Sequence, residues 1–343
     1  MHEVIVIGAG VSGLSLARQL RAQGRSPLVL ERARGVGGRC ATRRVDGQPV
    51  DHGIAYLHGR TDRFLAELRS VKGVRVLRDW PLAREGDGLP CRPEAFEDQV
   101  HRLAFAEGVS RFPKHLARGL DVRLQATVAK LQPVSGSWEL TLEVGGTLRA
   151  KAVALALPAP SAIALLQAAG PVAPEVAGVL PLVGLVRLLP CLTVIARYPS
   201  TAPVPAWEAS FPRASAVLHT LLHDSSKRAA PAALTLVLQA RPAWSRAHLS
   251  DPAESWTRAM LDEAASLHGD WISRPEAVQS HLWRKARVDP GSELAAPVAV
   301  RLATGEFLGF AGDGFDAAGG LEGAYLSGIA LAERFDEFLG TKA

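Results

Sequence analysis

Cysteine is scarce in this 343-residue chain: Cys40, Cys91 and Cys191 are odd in number, far apart and without a C-x-x-C pair. That excludes a disulfide framework and a cysteine zinc site, and it fits a reducing compartment. Runs of Lys and Arg are missing as well. Thirty-nine basic against 34 acidic side chains give +5, an excess that suits an anionic small molecule but lacks the clustered footprint of a nucleic-acid binder. There is no uninterrupted apolar span. Residues 152–170 carry no charge, yet Pro158 and Pro160 stand near the middle, where they break the backbone pairing that a membrane-crossing helix needs. No basic segment followed by an apolar stretch and a small-residue cleavage site opens the chain, so the expectation is a cytoplasmic protein. No internal repeat is visible. With 48% hydrophobic and 21% charged residues, an ordinary folded chain remains, long enough for two lobes.

What is present is concentrated at the two ends. Val4-Ile5-Val6-Ile7 is a short apolar run of the kind a buried parallel strand requires, and Gly8, Gly10 and Gly13 follow in G-x-G-x-x-G spacing at the mouth of a helix. Gly8 permits a tight turn, Gly10 lets a pyrophosphate approach the backbone, and Gly13 lets helix and strand pack closely. The first helical turn, with Val11 and Ser12, then offers unpaired N–H groups to the phosphates. Residues 27–31 read as a second parallel strand, and Glu31 at its end lies about 20 residues beyond the glycines, placed to accept hydrogen bonds from an adenosine ribose. NAD and FAD both satisfy this much.

The next residues separate them. Glu31, Arg32, then Gly37-Gly38-Arg39 and Asp51-x-Gly53 resemble the FAD-binding N-terminus of the amine oxidase and renalase-like flavoproteins. The resemblance implies that the second glycine pair and Arg39 close over the pyrophosphate and ribityl chain, where a forked, permanent cation suits phosphates already held by a helix end. The same family implies that a strand passing the adenine touches it through Val128.

Along the middle of the chain, residues 64–68 and 94–107 read as helices, 74–77 as a strand, and 122–131 as one half-buried strand. Residues 137–150 form a hairpin about Gly145-Gly146, fitting a small antiparallel layer inserted in the cofactor domain, and 152–157 a buried strand returning to its main sheet. Six of the seven tryptophans lie outside that domain. They could wall a planar substrate, although core packing is the commoner use. His223-Asp224-Ser225-Ser226-Lys227 reads as a polar turn rather than a hydrolytic triad, because no nucleophile elbow precedes it. Residues 281–287 alternate like a strand, from which Trp283 or Arg284 could reach a pocket.

Near the C-terminus, residues 307–313 read as a strand entering a Gly312-Asp313 turn, and Gly319-Gly320-Leu321-Glu322-Gly323-Ala324 opens a final helix. By resemblance, Asp313 serves the ribityl or pyrophosphate region, while Glu322, Gly323 and Ala324 bring a helix start to the flavin ring. A helix N-terminus there raises the electron affinity of a ring that becomes anionic on reduction. No cysteine stands near Gly319-Gly320, where monoamine oxidases attach flavin, so noncovalent FAD is expected. No lysine follows Pro158-Ala159-Pro160, where polyamine-type oxidases carry one; Lys285 is the available substitute.

The fold class expected is α/β: a Rossmann-like FAD-binding domain with a parallel sheet and a small antiparallel layer, plus a mixed α+β substrate domain, in amine oxidase and renalase-like architecture. The cofactor domain is expected over 1–60, 108–164 and 300–343, and the substrate domain over 61–107 and 165–299. The reading is an FAD-dependent oxidoreductase that takes a hydride from a dihydropyridine nucleotide isomer, or a related small donor, to flavin N5, with molecular oxygen as acceptor. Alternatives are an amine oxidase, a desaturase of an apolar substrate, or a flavin-binding scaffold without turnover. His52, Trp283 and Lys285 are the candidate catalytic residues, with His58 beside them as a proton acceptor for amine chemistry. No metal, nucleic acid or membrane span is expected, and the sequence leaves oligomeric state open.

Overall fold

The computed structural model describes residues 1–229 and 233–340 and divides into two units. One comprises Met1–Cys40, Phe112–Leu188 and the chain from Arg287 onward; the other comprises Ala41–Arg111 and Leu189–Ala286. The first break therefore falls at Cys40, where the sequence reading places it near residue 60. Residues 230–232 and 341–343, assigned by that reading to the substrate and cofactor domains, lie outside the described residues.

The first unit is built on a parallel sheet whose middle strand is His2–Ile7. Leu28–Leu30 pairs with it on one side and Thr147–Leu155 on the other, and Asp121–Arg123 and Phe307–Phe310 extend the sheet outward, all parallel. Both faces are covered, which is why Val4, Ile5, Val6, Ala152, Val153 and Leu155 form apolar runs and not alternations. Register places Ile7 beside Leu30 and Leu155, and Leu155 beside Phe310. The segments leaving these strands, at Gly8, Glu31, Ala156 and Ala311, therefore emerge together at the carboxyl edge, where open α/β sheets bind their ligands. Thr147–Leu155 is one strand and not a hairpin arm plus a return strand: its first half pairs antiparallel with Ser137–Leu142, its second half parallel with His2–Ile7. The expected strand over 122–131 is two. Asp121–Arg123 joins the parallel sheet and Val128–Val134 the antiparallel layer, with Gln125 at φ +55° turning the chain between them.

The Val11–Ala22 helix packs against this sheet and against the long Gly320–Leu339 helix, which itself meets the Phe307–Phe310 strand. Their approach is close because the second has no side chain at Gly328: a Cβ there would sit 2.2 Å from Ser12 O and Ser15 Oγ. Ser15 Oγ also donates to Tyr325 O at 2.9 Å.

The second unit carries a six-stranded sheet in the order Ala277–Val288, Leu188–Arg197, Thr235–Ala240, Leu218–His223, Ala209–Ser210, Arg84–Glu85. The Ala253–His268 helix packs Trp256, Met260, Leu261 and Ala264 into one cluster with Leu192, Val194, Leu236 and Leu238. A hairpin, Thr42–Val45 with Gln48–Asp51, turns through Asp46 and Gly47, both at positive φ. The helix expected over 94–107 is absent. Pro93–Phe96 makes one tight turn, and Arg102–Phe105 is the middle strand of a three-stranded sheet, with Leu103 opposite Leu57 and Phe105 opposite Val76. All four of its residues are buried, so pairing with distant strands overrides a locally helical composition.

Candidate functional site

In the first unit the chain leaves Ile7 in a turn that only glycine permits. Gly8 has φ +107°, donates to Leu30 O at 2.8 Å, and would place a Cβ 2.4 Å from Ala156 O. Gly13 is required by packing, since its Cβ would lie 2.0 Å from Gly8 O. Gly10 differs from both. Its φ of −73° suits any residue, and its missing Cβ points at open space, with no atom within 4 Å. Nothing inside the protein demands glycine there; a ligand backbone approaching the helix start would. Val11 and Ser12 are buried in that first turn, which has no side-chain cap and no acidic residue. Its N–H groups and the positive end of the helix are thus left for an anion.

Glu31 is fixed from two sides: Ala9 N donates to Oε2 and Ala33 N to Oε1, each at 2.8 Å. Each oxygen keeps a lone pair for a ribose hydroxyl. Arg32 is exposed beside it. Val128 is buried at the start of its strand, and Ala126, two residues earlier, donates to Glu31 O at 2.9 Å. The second glycine pair closes over the first: Gly37 N donates to Ala9 O at 2.8 Å, Gly37 and Gly38 have φ +117° and +57°, and Gly10 Cα lies 3.7 Å from where a Gly38 Cβ would stand.

Arg39 and Asp313, both expected to face the cofactor, meet each other in a two-pronged pair, 2.7 Å at each prong. This joins the N-terminal loop to the C-terminal turn and fixes the plane of the guanidinium. Ser327, which is not among the site residues expected from the sequence, accepts from Gly312 N at 3.1 Å and donates to Gly312 O at 2.9 Å. It ties the Asp313 turn to the last helix. That helix starts at Gly320 after Gly319, both at positive φ, with Glu322, Gly323 and Ala324 buried in its opening turns. Burial, reinforced by the Glu322 charge, raises the Asp316 carboxyl above the usual range. The open space at Gly10, the uncapped helix start and the doubly anchored Glu31 together fit an adenine dinucleotide.

In the second unit, His52 follows the hairpin and is only 5% exposed. Trp283 Nε1 donates to His52 O at 3.2 Å, with ring centroids 5.3 Å apart, so two of the three candidate catalytic residues come together. Their third neighbour is His281, 5.1 Å from His52 and 4.2 Å from Trp283. Burial pushes the His52 imidazole down to about 4, helped by the Arg43 guanidinium and by His281; burial and Arg43 also lower His281. The His52 ring is therefore neutral at pH 7, and the same causes favour the neutral form of His281. Lys285 lies on the same strand as Trp283, half-buried, and the His58 ring lies 6.0 Å from that of Tyr56, centroid to centroid. Gln279, His281, Trp283 and Lys285 alternate along one face of that strand, a pattern visible in the sequence once the strand is known.

Behind His52 lies a charge cluster the sequence concealed. Lys227 Nζ reaches Asp51 Oδ2 at 2.7 Å and Asp224 Oδ1 at 2.8 Å, and Arg228 bonds the same two carboxylates. Thr42 Oγ1 and Val109 N donate to Asp51 Oδ1 at 2.6 and 3.0 Å. Burial alone would raise the Asp51 carboxyl; Lys227, Arg228 and these hydrogen bonds override it and hold it below the usual range. The polar turn expected at 223–227 is thus a short 3-10 turn whose charges point inward. Tryptophan use follows the commoner pattern: Trp80, Trp138 and Trp256 are core, and Trp283 is half-buried.

Comparison with known proteins places this geometry. Residues 79–335 match the family model "Flavin containing amine oxidoreductase", and residues 6–68 match "NAD(P)-binding Rossmann-like domain". The flavin-containing monoamine oxidase AofH of Mycobacterium tuberculosis is 45% identical over 64 residues, 19% of this chain and 14% of that protein. The nicotine dehydrogenase of Pseudomonas putida is 35% identical over 113 residues, 30% of this chain and 23% of that protein. The chain thus aligns with less than a quarter of either relative's length. Cyclohexylamine oxidase from Brevibacterium oxydans superposes with a TM-score of 0.73 over 98% of this chain and 99% of that one, at 18% identity, a likeness of fold. No helix among the described residues is long and apolar enough to cross a membrane.

Proposed function

Since the chain belongs to the flavin-containing amine oxidoreductase family, we propose that it is an FAD-dependent oxidoreductase of the oxidase type. Its donor is a dihydropyridine isomer of NAD(P)H or a related small molecule, and molecular oxygen is its acceptor. FAD is the cofactor, and when bound it supplies a two-electron acceptor at its ring. The observation that carries the reading is Gly10: a glycine that neither backbone conformation nor packing requires, facing open space at an uncapped helix start.

Around it the chain's own residues divide the work. Gly8 and Gly13 shape the turn, and the first turn at Val11 and Ser12 holds the pyrophosphate. Glu31 holds the adenosine ribose, with Arg32 and Val128 flanking it. Gly38 and Arg39 cover the phosphates, with Arg39 aimed by Asp313, and Glu322, Gly323 and Ala324 present the last helix start to the ring. No described cysteine stands in this cradle's C-terminal turn, which supports noncovalent binding. In the second unit, His52 and Trp283 would hold the donor and shed its water, with Lys285 further along the same strand. A dihydropyridine needs no protein base, because aromatisation drives its hydride loss.

Amine oxidation is the second reading, favoured by the family match over 79–335. It requires the amine to lose a proton, for which His52 is the candidate acceptor, a weak one because burial and Arg43 disfavour its protonated form. Anaerobic stopped-flow mixing with dihydropyridine isomers and, separately, with primary amines and polyamines tests both. Bleaching of the flavin band by the nucleotide isomers alone supports the first reading. Bleaching by amines alone replaces it with the second, and bleaching by neither, with flavin present, refutes both in favour of a desaturase or a non-catalytic scaffold.

A further inference from the structure

We propose that Arg43, together with the face of the Ala277–Val288 strand bearing Gln279, His281, Trp283 and Lys285, forms a subsite for an oxyanion, a carboxylate or phosphate carried by the donor. This rests on the oxidoreductase reading and names the chemistry its donor presents.

Arg43 is half-buried and keeps uncharged company. Its Nη1 donates to Gln279 Oε1 and its Nη2 meets His281 Nδ1, each at 3.2 Å. An arginine only donates, so His281 Nδ1 accepts and Nε2 carries the proton. That leaves an imidazole N–H and the unused guanidinium N–H groups as donors in one place. Among the described residues no carboxylate pairs with Arg43, whereas other guanidiniums of this unit are neutralised: Arg228 by Asp51 and Asp224, and Arg197 by Asp46. Arg102 and Arg241 spend theirs on backbone carbonyls. Asp51, the carboxylate next to His52 in sequence, is already engaged by Lys227 and Arg228.

Two further observations point the same way. His52 Nδ1 is buried with no hydrogen-bond partner among the described residues, a polar atom whose cost a ligand would relieve. Moreover, the positive field of Arg43 disfavours protonation of both neighbouring imidazoles. The same field repels an ammonium group and attracts an oxyanion, for which a planar guanidinium is the best-matched side chain. Trp283 supplies an aromatic face beside the charge, suited to the flat part of the same molecule.

The test is isothermal titration of the flavin-loaded protein at pH 7.5 with benzoate, inorganic phosphate and benzylamine. Benzoate, phosphate or both bind, and benzylamine does not. Benzoate alone identifies a carboxylate donor; phosphate alone identifies a phosphoester. Arg43→Gln weakens the binding at least tenfold, Arg43→Lys weakens it less by keeping the charge without the fork, and Arg44→Gln, altering an exposed neighbour bonded to Gly47 O, leaves it unchanged. Should Arg43→Gln fail to fold, the ratio between Arg43→Lys and Arg44→Gln carries the same comparison. Binding of benzylamine in preference to the anions, or anion binding indifferent to Arg43, overturns the proposal. These readouts need no turnover: a protein that binds the oxyanion but whose flavin no donor bleaches would refute the functional reading and leave the subsite standing.

Discussion

Gly10→Ala separates what the fold needs from what the cofactor needs. The backbone at Gly10 is already in a region open to alanine, and the new methyl meets no protein atom within 4 Å. Two small effects on the apoprotein oppose each other. Restricting the unfolded chain stabilises by about 0.4–1 kcal/mol, and alanine is a poorer helix N-cap than glycine by a similar amount, about 0.5–1 kcal/mol. Apoprotein stability should therefore stay within about 1 kcal/mol of wild type. On the proposed reading, the methyl instead occupies the space through which a pyrophosphate reaches the helix start. Overpacking of one methyl costs about 1–3 kcal/mol, which is about 5- to 150-fold in Kd. Denaturant unfolding of the apoprotein and FAD titration by flavin fluorescence measure the two quantities separately. Gly13→Ala is the contrast, since its Cβ would fall 2.0 Å from Gly8 O and the fold itself should suffer. A Gly10→Ala protein that binds FAD with wild-type affinity would refute the assignment of that space to the cofactor.

Three further outcomes follow from the packing and charges. Gly328→Ala drives a methyl to 2.2 Å from Ser12 O and Ser15 Oγ and should cost about 1–3 kcal/mol of stability in urea unfolding; no loss would mean the two helices separate freely. Asp51→Asn leaves Lys227 and Arg228 with one carboxylate and should cost about 3–5 kcal/mol. Because the Asp51 carboxyl is lowered in the folded state, its stabilisation is present above the ordinary carboxylate value and lost as pH falls through the lowered one, so the variant should lose less stability in acid than wild type. His52 is pushed down to about 4 against an ordinary value near 6.5, so its contribution is complete above about 6.5 and lost as pH falls toward 4, on the order of 3 kcal/mol. His52→Gln should flatten unfolding free energy across that window, and an NMR titration showing His52 protonating near 6.5 would contradict the cause.

The N-terminal strand and turn were legible because their constraints are local. A positive φ at Gly8 and a Cβ clash at Gly13 each require glycine at one position, and a parallel strand covered on both faces declares itself as Val4-Ile5-Val6-Ile7; at Gly10 the fold makes no such demand. The second unit is written at long range. Asp51 meets Lys227 across 176 positions and Arg43 meets His281 across 238, and neither partner carries a local mark of the other. The Arg102–Phe105 strand was hidden for the same reason, since it is held by Leu57 and Val76 rather than by its own sequence. Gln125 shows a third kind of concealment: it takes φ +55° without being glycine or asparagine, so the break between two strands left no signature. His52 and Trp283 could be named singly, yet their meeting with His281 and Arg43 became visible only in the fold.

The most direct test of the central claim is the visible spectrum of the purified protein, followed by acid precipitation and analysis of the supernatant. The account predicts a yellow protein that releases intact FAD at one molecule per chain. A colourless protein that binds NAD in place of FAD, or a flavin that stays with the precipitated chain, would contradict it.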